Sequence, residues 1–277
     1  MKKNWVVVLV VLLTMLVAAC GNTDSGNDTS AGSNAAGKTP EAELSLLDQI
    51  KQDGVIRVGT EGTYAPFTFH DQSGDLTGFD VELVNEVAKR IGVKTEFIET
   101  KWDGIFAGLD AKRFDIVANQ VSIRDDRKEK YDFSEPYIIS KAVLIVHEDN
   151  EEIKQLADLS GKKAGQSLTS NLTDIAKDNG AEIVQTDGFN QAIDLLLSKR
   201  IDATVNDGLS YLDFKTQKPD APIKVVDETE DASYSGFLFN KGNEELVEAV
   251  NQALEEMKND GTYLQISEKY FGTDVSK

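Results

Sequence analysis

Residues 119–127 combine the groups that a site for a small-molecule carboxylate requires. Ser122 and the surrounding backbone amides can donate single hydrogen bonds. Arg124 and Arg127 can each donate two parallel hydrogen bonds in a plane that matches a carboxylate. The alternative is surface ion pairing of these arginines with Asp125 or Asp126. The residue types leave both interpretations open, and they do not choose between the two arginines.

Two further segments carry groups that suit a zwitterionic ligand. Residues 166–171 (QSLTSN) place hydroxyls and amides just before a predicted helix, whose N-terminus favours an anion. Asp207 ends a predicted strand and can accept hydrogen bonds from an ammonium group. The alternative for Ser170 and for Asp207 is simple N-capping of the helix that follows each of them.

Three aromatic residues also follow predicted strands: Tyr64 and Phe67 come after the first strand, and Trp102 comes after the second. Rings in such loops can form the apolar wall of a small-ligand pocket. The alternative is packing in the core, which is as good an explanation for Phe67. The equivalent positions of the three rings favour a pocket.

The elements that position these residues alternate short apolar runs with amphipathic stretches, which predicts an α/β fold. In the helix at 80–91, the apolar residues Leu83, Val84 and Val87 share one face, and Gly92 ends the helix. The sequence shows no internal repeat in its folded part. The predicted strands are 55–59, 94–98, 114–118, 142–146, 181–186, 203–206, 223–226 and 237–239, and the other helices are 102–111, 170–179, 190–199, one from Leu209, and 243–259.

The order of these elements indicates two α/β series and therefore two lobes. Ligands of such sheets bind outside the carboxyl ends of the strands, often between domains. The residues that directly follow each strand are therefore the candidates for a shared binding cleft. The last helix, 243–259, is expected to be capped by Asn243 and stopped by Gly261.

The N-terminus has the pattern of an export signal. Residues 1–19 begin with two lysines, continue as an apolar run and end in small residues. The run is shorter than the roughly 20 apolar residues of a membrane span, although an uncleaved anchor is the alternative. The only cysteine, Cys20, follows directly and cannot form an internal disulfide. The surrounding sequence LVAACG resembles the lipobox of bacterial lipoproteins, in which this cysteine carries the lipid, including palmitate.

The next segment, residues 20–40, is rich in Gly, Ser, Asn, Thr and Ala and contains no large apolar side chain after Cys20. Such a segment cannot bury enough apolar surface to offset the entropy of ordering it, so we expect a flexible tether. Anchoring through lipid on Cys20 would place the folded part at the extracytoplasmic face of the cell membrane.

The charge of the chain excludes some classes of partner. It contains 48 acidic and 29 basic residues, with a net charge of −19. This balance argues against nucleic-acid binding and against electrostatic attachment to anionic lipid. With one cysteine and two histidines in unrelated contexts, no metal-binding spacing is present. No glycine-rich phosphate loop is present either, so we expect no nucleotide site. We expect no cofactor, no metal and no enzymatic activity, because nothing in the sequence singles out a catalytic group.

Several motifs together resemble the polar amino-acid branch of the extracellular solute-binding proteins of ABC importers (family 3). They occur in consistent order from about Leu44 to the C-terminus: GTYAPFTF, LTGFDVELVNEVAKRIG, WDGIFAGLDAKRFDIVANQVSIRDDRKEKYDFSEPY, DATVNDG and NQALEEMKNDGTYLQISEKYFG. The resemblance implies a two-lobe, periplasmic-binding-protein-like (type II) fold whose lobes are joined by two hinge strands. On this basis we expect residues 41–142 and 237–277 to form the first lobe and residues 143–236 to form the second.

The resemblance also implies roles for individual residues. Arg127, rather than Arg124, matches the arginine that binds the α-carboxylate of the ligand, and Asp207 matches the aspartate that binds its ammonium group. The remaining matches are Ser122 and the Gln120 backbone as neighbouring contacts, Tyr64, Phe67 and Trp102 as the side-chain wall, and Thr169, Ser170 and Asn171 as the carboxylate loop of the second lobe. The SLTSN loop departs from the glycine-rich loop of some family members.

Within this branch the motifs are most similar to L-cystine-binding lipoproteins. Cystine has a second amino-acid head, for which Gln120, Asn171 and Asn206 offer extra polar groups. The implied partners are this ligand, a permease and a separate ATPase, and the binding protein itself is expected to be a monomer. The alternatives are another polar amino acid as ligand, a lyase on the same fold, or a sensor that presents the liganded state to a receptor.

Overall fold

The computed structural model describes residues 44–277. The signal, the tether and Cys20 lie outside the described residues. Among the helices of residues 44–277, none combines the length and the apolar character that a membrane span requires. The elements before the first crossing between sheets are α1 (Leu46–Asp53), β1 (Val55–Thr60), β2 (Thr63–Tyr64), β3 (Thr68–His70), β4 (Leu76–Thr77), α2 (Phe79–Ile91), β5 (Lys94–Glu99), α3 (Trp102–Asp110), β6 (Ile116–Ser122), α4 (Asp125–Lys128), β7 (Tyr131–Phe133) and β8 (Ile138–Ser140).

The middle of the chain forms a second set of elements, and the C-terminal part returns to the first set. The middle set is β9 (Ala142–His147), a 3₁₀ helix (Leu156–Leu159), β10 (Lys163–Gln166), α5 (Asn171–Asp178), β11 (Glu182–Gln185), α6 (Phe189–Leu197), β12 (Ala203–Asp207), α7 (Gly208–Gln217) and β13 (Ile223–Glu228). The C-terminal elements are β14 (Ser233–Asn240), α8 (Glu244–Asp260) and α9 (Thr262–Phe271).

Two sheets divide these elements into two lobes. The first sheet has the order β5-β1-β6-β14-β7, with β8 also paired to β14, and the second has the order β11-β10-β12-β9-β13. In each sheet three strands are parallel, and the strands at or next to the crossings, β14 and β9, run antiparallel to them. The first lobe thus contains α1–β8, β14, α8 and α9, and the second contains β9–β13. A small meander, β2-β3-β4, belongs to the first lobe.

The chain crosses between the lobes twice, and these crossings differ slightly from the expected domain limits. Ala142 pairs with Asp207 in the second sheet, although it was expected in the first lobe. Residues 233–236 were expected in the second lobe, but Ser233 and Ser235 pair with β8 in the first sheet. A strand that crosses between the lobes has a similar apolar pattern on both sides of the crossing. Only its hydrogen-bond pairing shows to which sheet each residue belongs.

Amphipathic helices form the core of the first lobe. The predicted apolar face of α2 is buried, including Leu83, Val84 and Val87, and it packs with α8 and the sheet. Burial of each such side chain contributes about 1.5–3 kcal/mol. Gly92 has a φ of 90° and ends α2 in the left-handed conformation that glycine accepts readily. The pattern of apolar residues therefore predicted this element correctly.

The end of the chain differs from the prediction in two details. The Asn243 side chain makes no capping hydrogen bond to α8 and instead donates from Nδ2 to the carbonyl oxygen of Asn240, at 2.8 Å. Gly261, with a φ of 83°, ends α8 as expected. A further helix, α9, begins directly after Gly261. It was not predicted, because a glycine at this position equally indicates the end of the helical region.

The two lobes share one local backbone arrangement, although the sequence shows no internal repeat. Lys112 after α3 and Lys199 after α6 both have left-handed backbones, with φ values of 54° and 55°. Asp115 and Asp202 follow them, and each carboxylate accepts a hydrogen bond of 2.8 Å from the first part of a neighbouring parallel strand, β1 or β10. The equivalent turns place β6 and β12, and therefore their carboxyl ends, in matching positions.

Candidate functional site

A cavity of about 640 Å³ lies between the lobes, at the carboxyl ends of β1, β6 and β12. This position agrees with the general rule for ligand sites in parallel sheets. The volume is in the range of pockets that enclose small molecules. Most of the predicted site residues line it: Tyr64, Trp102, Gln120, Ser122, Ser170, Asn171 and Asp207.

Arg127 lies beside this cavity, in the last turn of the short helix α4. It is 7% exposed, and its guanidinium donates to the carbonyl oxygens of Ser122, at 3.0 Å, and Thr169, at 3.4 Å. It also stacks against the rings of Trp102 and Phe106, 5.7 and 5.1 Å from their centroids. Burial, with the charge of nearby Arg124, lowers its pKa to about 10, so it is still charged at neutral pH.

Charge compensation distinguishes Arg127 from its neighbour Arg124. Arg124 lines the cavity and forms ion pairs with Asp126 and, from the second lobe, Asp174. Arg127 takes part in none of the ion pairs within residues 44–277. A buried cation without a carboxylate partner is suited to receive one from a ligand. The expectation that Arg127, rather than Arg124, binds the ligand carboxylate agrees with this difference in ion pairing. Arg127 itself is not on the cavity wall.

Asp207 combines the two roles that the sequence left open. Its Oδ1 accepts a hydrogen bond of 2.8 Å from the backbone N–H of Leu209 and so caps α7, and its Oδ2 accepts from the Ser140 hydroxyl. The same carboxylate lines the cavity. Burial raises its pKa from 3.8 to about 6, and the hydrogen bonds oppose that shift. The cap holds the carboxylate at the wall, where a cation can approach it.

Glu61 is a second carboxylate on the cavity wall, and it was missed from the sequence. It follows β1 directly, in the loop from which only the aromatic residues were chosen. Its Oε2 accepts a hydrogen bond of 2.6 Å from Nδ2 of Asn119. Burial raises its pKa from 4.5 to about 7, with Asn119 and the backbone N–H of Trp102 opposing the shift. Its position just after a strand was the signal that could have identified it.

The loop before α5 contributes to the cavity in a different way from that expected. Ser170 caps α5 by accepting from the backbone N–H of Leu172, at 3.2 Å, and it also lines the cavity, as does Asn171. Thr169 does not line the cavity. Its backbone N–H and hydroxyl instead donate to Oδ1 of Asp103 in the first lobe, at 3.1 and 2.9 Å. Thr169 is therefore a contact between lobes, and Asp103 was not identified from the sequence.

The aromatic residues divide between wall and core. Phe67 is fully buried in the core of the first lobe, and so its expected place in the ligand wall is wrong. Its ring centroid lies 5.2 Å from that of Tyr64, which does line the cavity. The Tyr64 hydroxyl donates to Oδ1 of Asn206 in the second lobe, at 2.9 Å. Trp102 also lines the cavity, and its buried Nε1 has no hydrogen-bond partner in the described part of the chain.

Further polar contacts join the two lobes. Lys101 and Asp187 form an ion pair of 2.6 Å, and Nδ2 of Asn190 donates to the carbonyl oxygen of Thr63 at 3.0 Å. The lobes are thus in direct contact around the cavity. Within residues 44–277, no group of three or more His, Cys, Asp or Glu side chains is arranged to hold a metal ion. The site offers hydrogen bonds and charge for binding an organic ion.

Comparison with known proteins identifies the family. A model of "Bacterial extracellular solute-binding proteins, family 3" matches residues 56–273. The chain is 46% identical over 278 residues to the L-cystine-binding protein TcyA of Bacillus subtilis (strain 168), with 100% of both chains covered. It is 44% identical over 239 residues to the L-cystine-binding protein TcyJ of Escherichia coli (strain K12), covering 85% of this chain and 90% of that one.

Solved structures show the same fold. An ancestral arginine-binding protein bound to arginine has 43% identity and a TM-score of 0.75, over 79% of this chain and 98% of that one. The L-cystine solute receptor of Neisseria gonorrhoeae, in its unliganded open conformation, has 47% identity but a TM-score of 0.58, over 84% and 100%. The structure with the higher identity, which is in an open conformation, thus has the lower TM-score. The relatives are binding proteins rather than enzymes, and the chain belongs to the family 3 bacterial extracellular solute-binding proteins.

Proposed function

We propose that this protein captures L-cystine between its two lobes and delivers it to an ABC permease that is driven by a separate ATPase. The observation that carries the proposal is the pair of half-buried carboxylates, Asp207 and Glu61, on opposite lobes of one cavity, each with a pKa that is raised by desolvation. Cystine has two ammonium groups, so each carboxylate can hold one of them. The named function of the relatives TcyA and TcyJ supports the same ligand.

The carboxylates of cystine would be received by the donors that surround the cavity. Arg127 supplies the buried charge for the first one, with the Ser122 hydroxyl beside it. Ser170 and Asn171 supply hydroxyl and amide groups from the second lobe, at the start of α5. Tyr64 and Trp102 would cover the apolar disulfide portion of the ligand.

This division of contacts explains how binding would close the lobes. Each lobe alone satisfies only part of the ligand, because Arg127 and Glu61 belong to the first lobe and Asp207 to the second. The ligand therefore has a higher affinity for the closed state and shifts the population toward it. Direct contacts such as Tyr64–Asn206 add to the stability of that state. A permease that recognises the closed form would then receive loaded protein.

We also propose that the protein is a monomeric lipoprotein of the cell membrane. The support is the sequence around Cys20, with an apolar signal before it and the small-residue tether after it. A single acyl chain gives only marginal anchoring, so stable attachment requires more than one chain. The family description places these proteins outside the cytoplasm, which agrees with this arrangement.

Isothermal titration calorimetry on residues 41–277 tests the ligand. The protein is first unfolded and refolded to remove bound ligand, and then titrated with L-cystine, arginine, glutamine, histidine and cysteine. Sub-micromolar binding of cystine, with the others weak, is the expected result. Tight binding of arginine would instead indicate that Glu61 pairs with a guanidinium, the second candidate, which the similarity to an arginine-bound structure favours. Binding of none of these ligands would overturn both candidates.

A further inference from the structure

We propose that Asp80 is a positioning residue that orients the side chain of Gln120, so that the Gln120 amide oxygen accepts a hydrogen bond from an ammonium group of the ligand. This inference rests on the proposed function, because it requires a ligand that bears an ammonium group. It assigns a task in ligand recognition to a residue that does not itself line the cavity. It also assigns a specific contact to the Gln120 side chain, which the resemblance offered only as one of several extra polar groups.

Gln120 has an unusual backbone at a central place in the site. It lies near the carboxyl end of β6 and lines the cavity. Its φ is 52°, in the left-handed region that residues other than glycine seldom adopt. Such a conformation persists only where the surrounding structure holds it, and held backbones of this kind concentrate at ligand sites. The neighbouring contacts of Gln120 therefore need an explanation.

Asp80 supplies the contacts that hold Gln120. It lies in the first turn of α2 and is fully buried. Its Oδ2 accepts the backbone N–H of Gln120, and its Oδ1 accepts Nε2 of the same residue, both at 2.8 Å. The Tyr137 hydroxyl donates to Oδ2 at 3.0 Å. One carboxylate thus binds the backbone and the side chain of Gln120 together, with Tyr137 fixing the carboxylate in turn.

The chemistry of these partners determines which end of the amide faces the ligand. A carboxylate only accepts hydrogen bonds, so only the NH₂ group of Gln120 can face Asp80. The amide oxygen, Oε1, is left pointing away from Asp80. It is buried and has no hydrogen-bond partner within residues 44–277. A buried acceptor without a partner is unfavourable, and a donor from the ligand would satisfy it.

The expected donor is an ammonium group rather than a hydroxyl or an amide. Glu61 and Asp207 make the cavity wall negative when they are ionised, which favours a cation in the same space. Those carboxylates attract the ammonium group by charge, whereas the neutral and rigidly held amide oxygen of Gln120 fixes the direction of one of its hydrogen bonds. The combination would discriminate an amino acid from an analogue of the same shape that lacks the ammonium group.

The test compares L-cystine with 3,3′-dithiodipropionate, which is the same disulfide dicarboxylate without ammonium groups. The full chain is purified in detergent, and both affinities are measured for wild type, Asp80→Asn and Gln120→Met. Loss of one hydrogen bond to a charged group weakens cystine binding by about 10- to 100-fold. Because dithiodipropionate makes no such bond, the ratio of the two affinities should fall by a similar factor. A merely structural role for Asp80 would weaken both ligands alike and leave the ratio unchanged, which would overturn the inference.

The double variant Asp80→Asn with Gln120→Glu provides a rescue. It reverses the hydrogen bond, since the new asparagine donates from its amide and the new glutamate accepts, while a carboxylate oxygen again faces the ligand. Recovery of cystine selectivity relative to Asp80→Asn is expected. No recovery would contradict direct coupling between the two residues. If Asp80→Asn does not fold, as judged by circular dichroism, Gln120→Met still decides whether the amide matters.

The control is Asp115→Asn, which removes another buried carboxylate of the same lobe. Asp115 precedes β6 at the end away from the cavity and pairs with Arg57. Both affinities should stay at the wild-type level. If wild type binds another amino acid instead of cystine, the proposed ligand is wrong, and the ratio is measured with that amino acid and its deamino analogue. Failure of the proposed ligand and failure of the role of Asp80 therefore give different results.

Discussion

Arg124 of the first lobe and Asp174 of the second lobe form an ion pair across the cleft, with 2.7 Å between Nη1 and Oδ2. Nε of Arg124 also lies 2.9 Å from Oδ1 of Asp126. The guanidinium is therefore occupied by protein carboxylates. Arg127 comes three residues later, and within residues 44–277 its guanidinium forms no ion pair but donates to carbonyl oxygens and stacks on aromatic rings. The contacts of the two arginines therefore differ, and on the proposed function Arg124 would favour closure while Arg127 would supply charge to the ligand.

Replacement of the two arginines should separate these tasks. Arg127→Ala should weaken cystine binding by at least about 100-fold, because it removes a charge-assisted pair in a buried site. Arg124→Gln should have a much smaller effect, about two- to fivefold, since its partners are half exposed and such pairs contribute about 0–1 kcal/mol. Calorimetric titration measures both. Equal losses in the two variants would contradict the assignment.

Asp174→Asn should reproduce the small effect of Arg124→Gln, because it breaks the same ion pair from the other lobe. The loss should shrink at high salt, since exposed pairs are screened. Glu152→Gln is the matched control, as it breaks an exposed pair with Lys162 that lies entirely within the second lobe. A change of affinity in that control would show that the effect does not depend on contact across the cleft.

Asp207→Asn separates the capping role of this residue from its charge. Asparagine is as good an N-cap as aspartate, so α7 and the thermal stability should be nearly retained. Loss of the carboxylate should still weaken cystine binding, by about 100-fold, because the ammonium group loses its charged partner. Thermal unfolding and titration calorimetry report the two properties separately. Retained affinity would remove Asp207 from the ligand site and leave it as a cap.

Stability and affinity should depend on pH in opposite directions. The pKa is raised from 4.5 to about 7 for Glu61 and from 3.8 to about 6 for Asp207. The folded protein therefore binds more protons than the unfolded chain across this interval. The resulting stabilisation is fully present below about pH 4 and is lost as the pH rises through about 6 to 7. Cystine requires the ionised carboxylates, so its affinity should rise over the same interval.

The measurement is the unfolding temperature of the ligand-free protein, and its affinity for cystine, between about pH 5 and about pH 8. Wild type is compared with the Glu61→Gln and Asp207→Asn double variant. In that variant, the unfolding temperature and the affinity should both depend less on pH. An affinity that falls as the pH rises through this interval would contradict the role of these carboxylates in binding an ammonium group.

Cys20→Ser tests the proposed anchor. The variant should no longer incorporate labelled fatty acid and should be recovered in the medium or the soluble extracytoplasmic fraction, because serine cannot carry the thioether-linked lipid. The affinity for cystine, measured on the released protein, should be unchanged, since the tether lies apart from the cavity in the sequence. A variant that is still labelled would contradict the proposal.

The α/β class, the two series of elements and the sheet edge at which the cavity lies could be predicted from local sequence patterns. Local patterns were sufficient here, because the periodicity of α2 and the stop at Gly92 depend on neighbouring residues. The general rule about strand ends then pointed to the segments that contain Trp102, Ser122 and Asp207. These residues do line the cavity.

Local patterns could not predict which side chain of a segment faces the cavity or what that side chain contacts. Phe67 and Tyr64 share one loop, yet the first is core and the second reaches Asn206 in the other lobe. The sequence around the half-buried Glu61 and the fully buried Asp80 gives no local sign of these environments. Their environments are formed by residues that are distant in the chain, and burial and hydrogen-bond partners depend on that packing rather than on the neighbouring sequence.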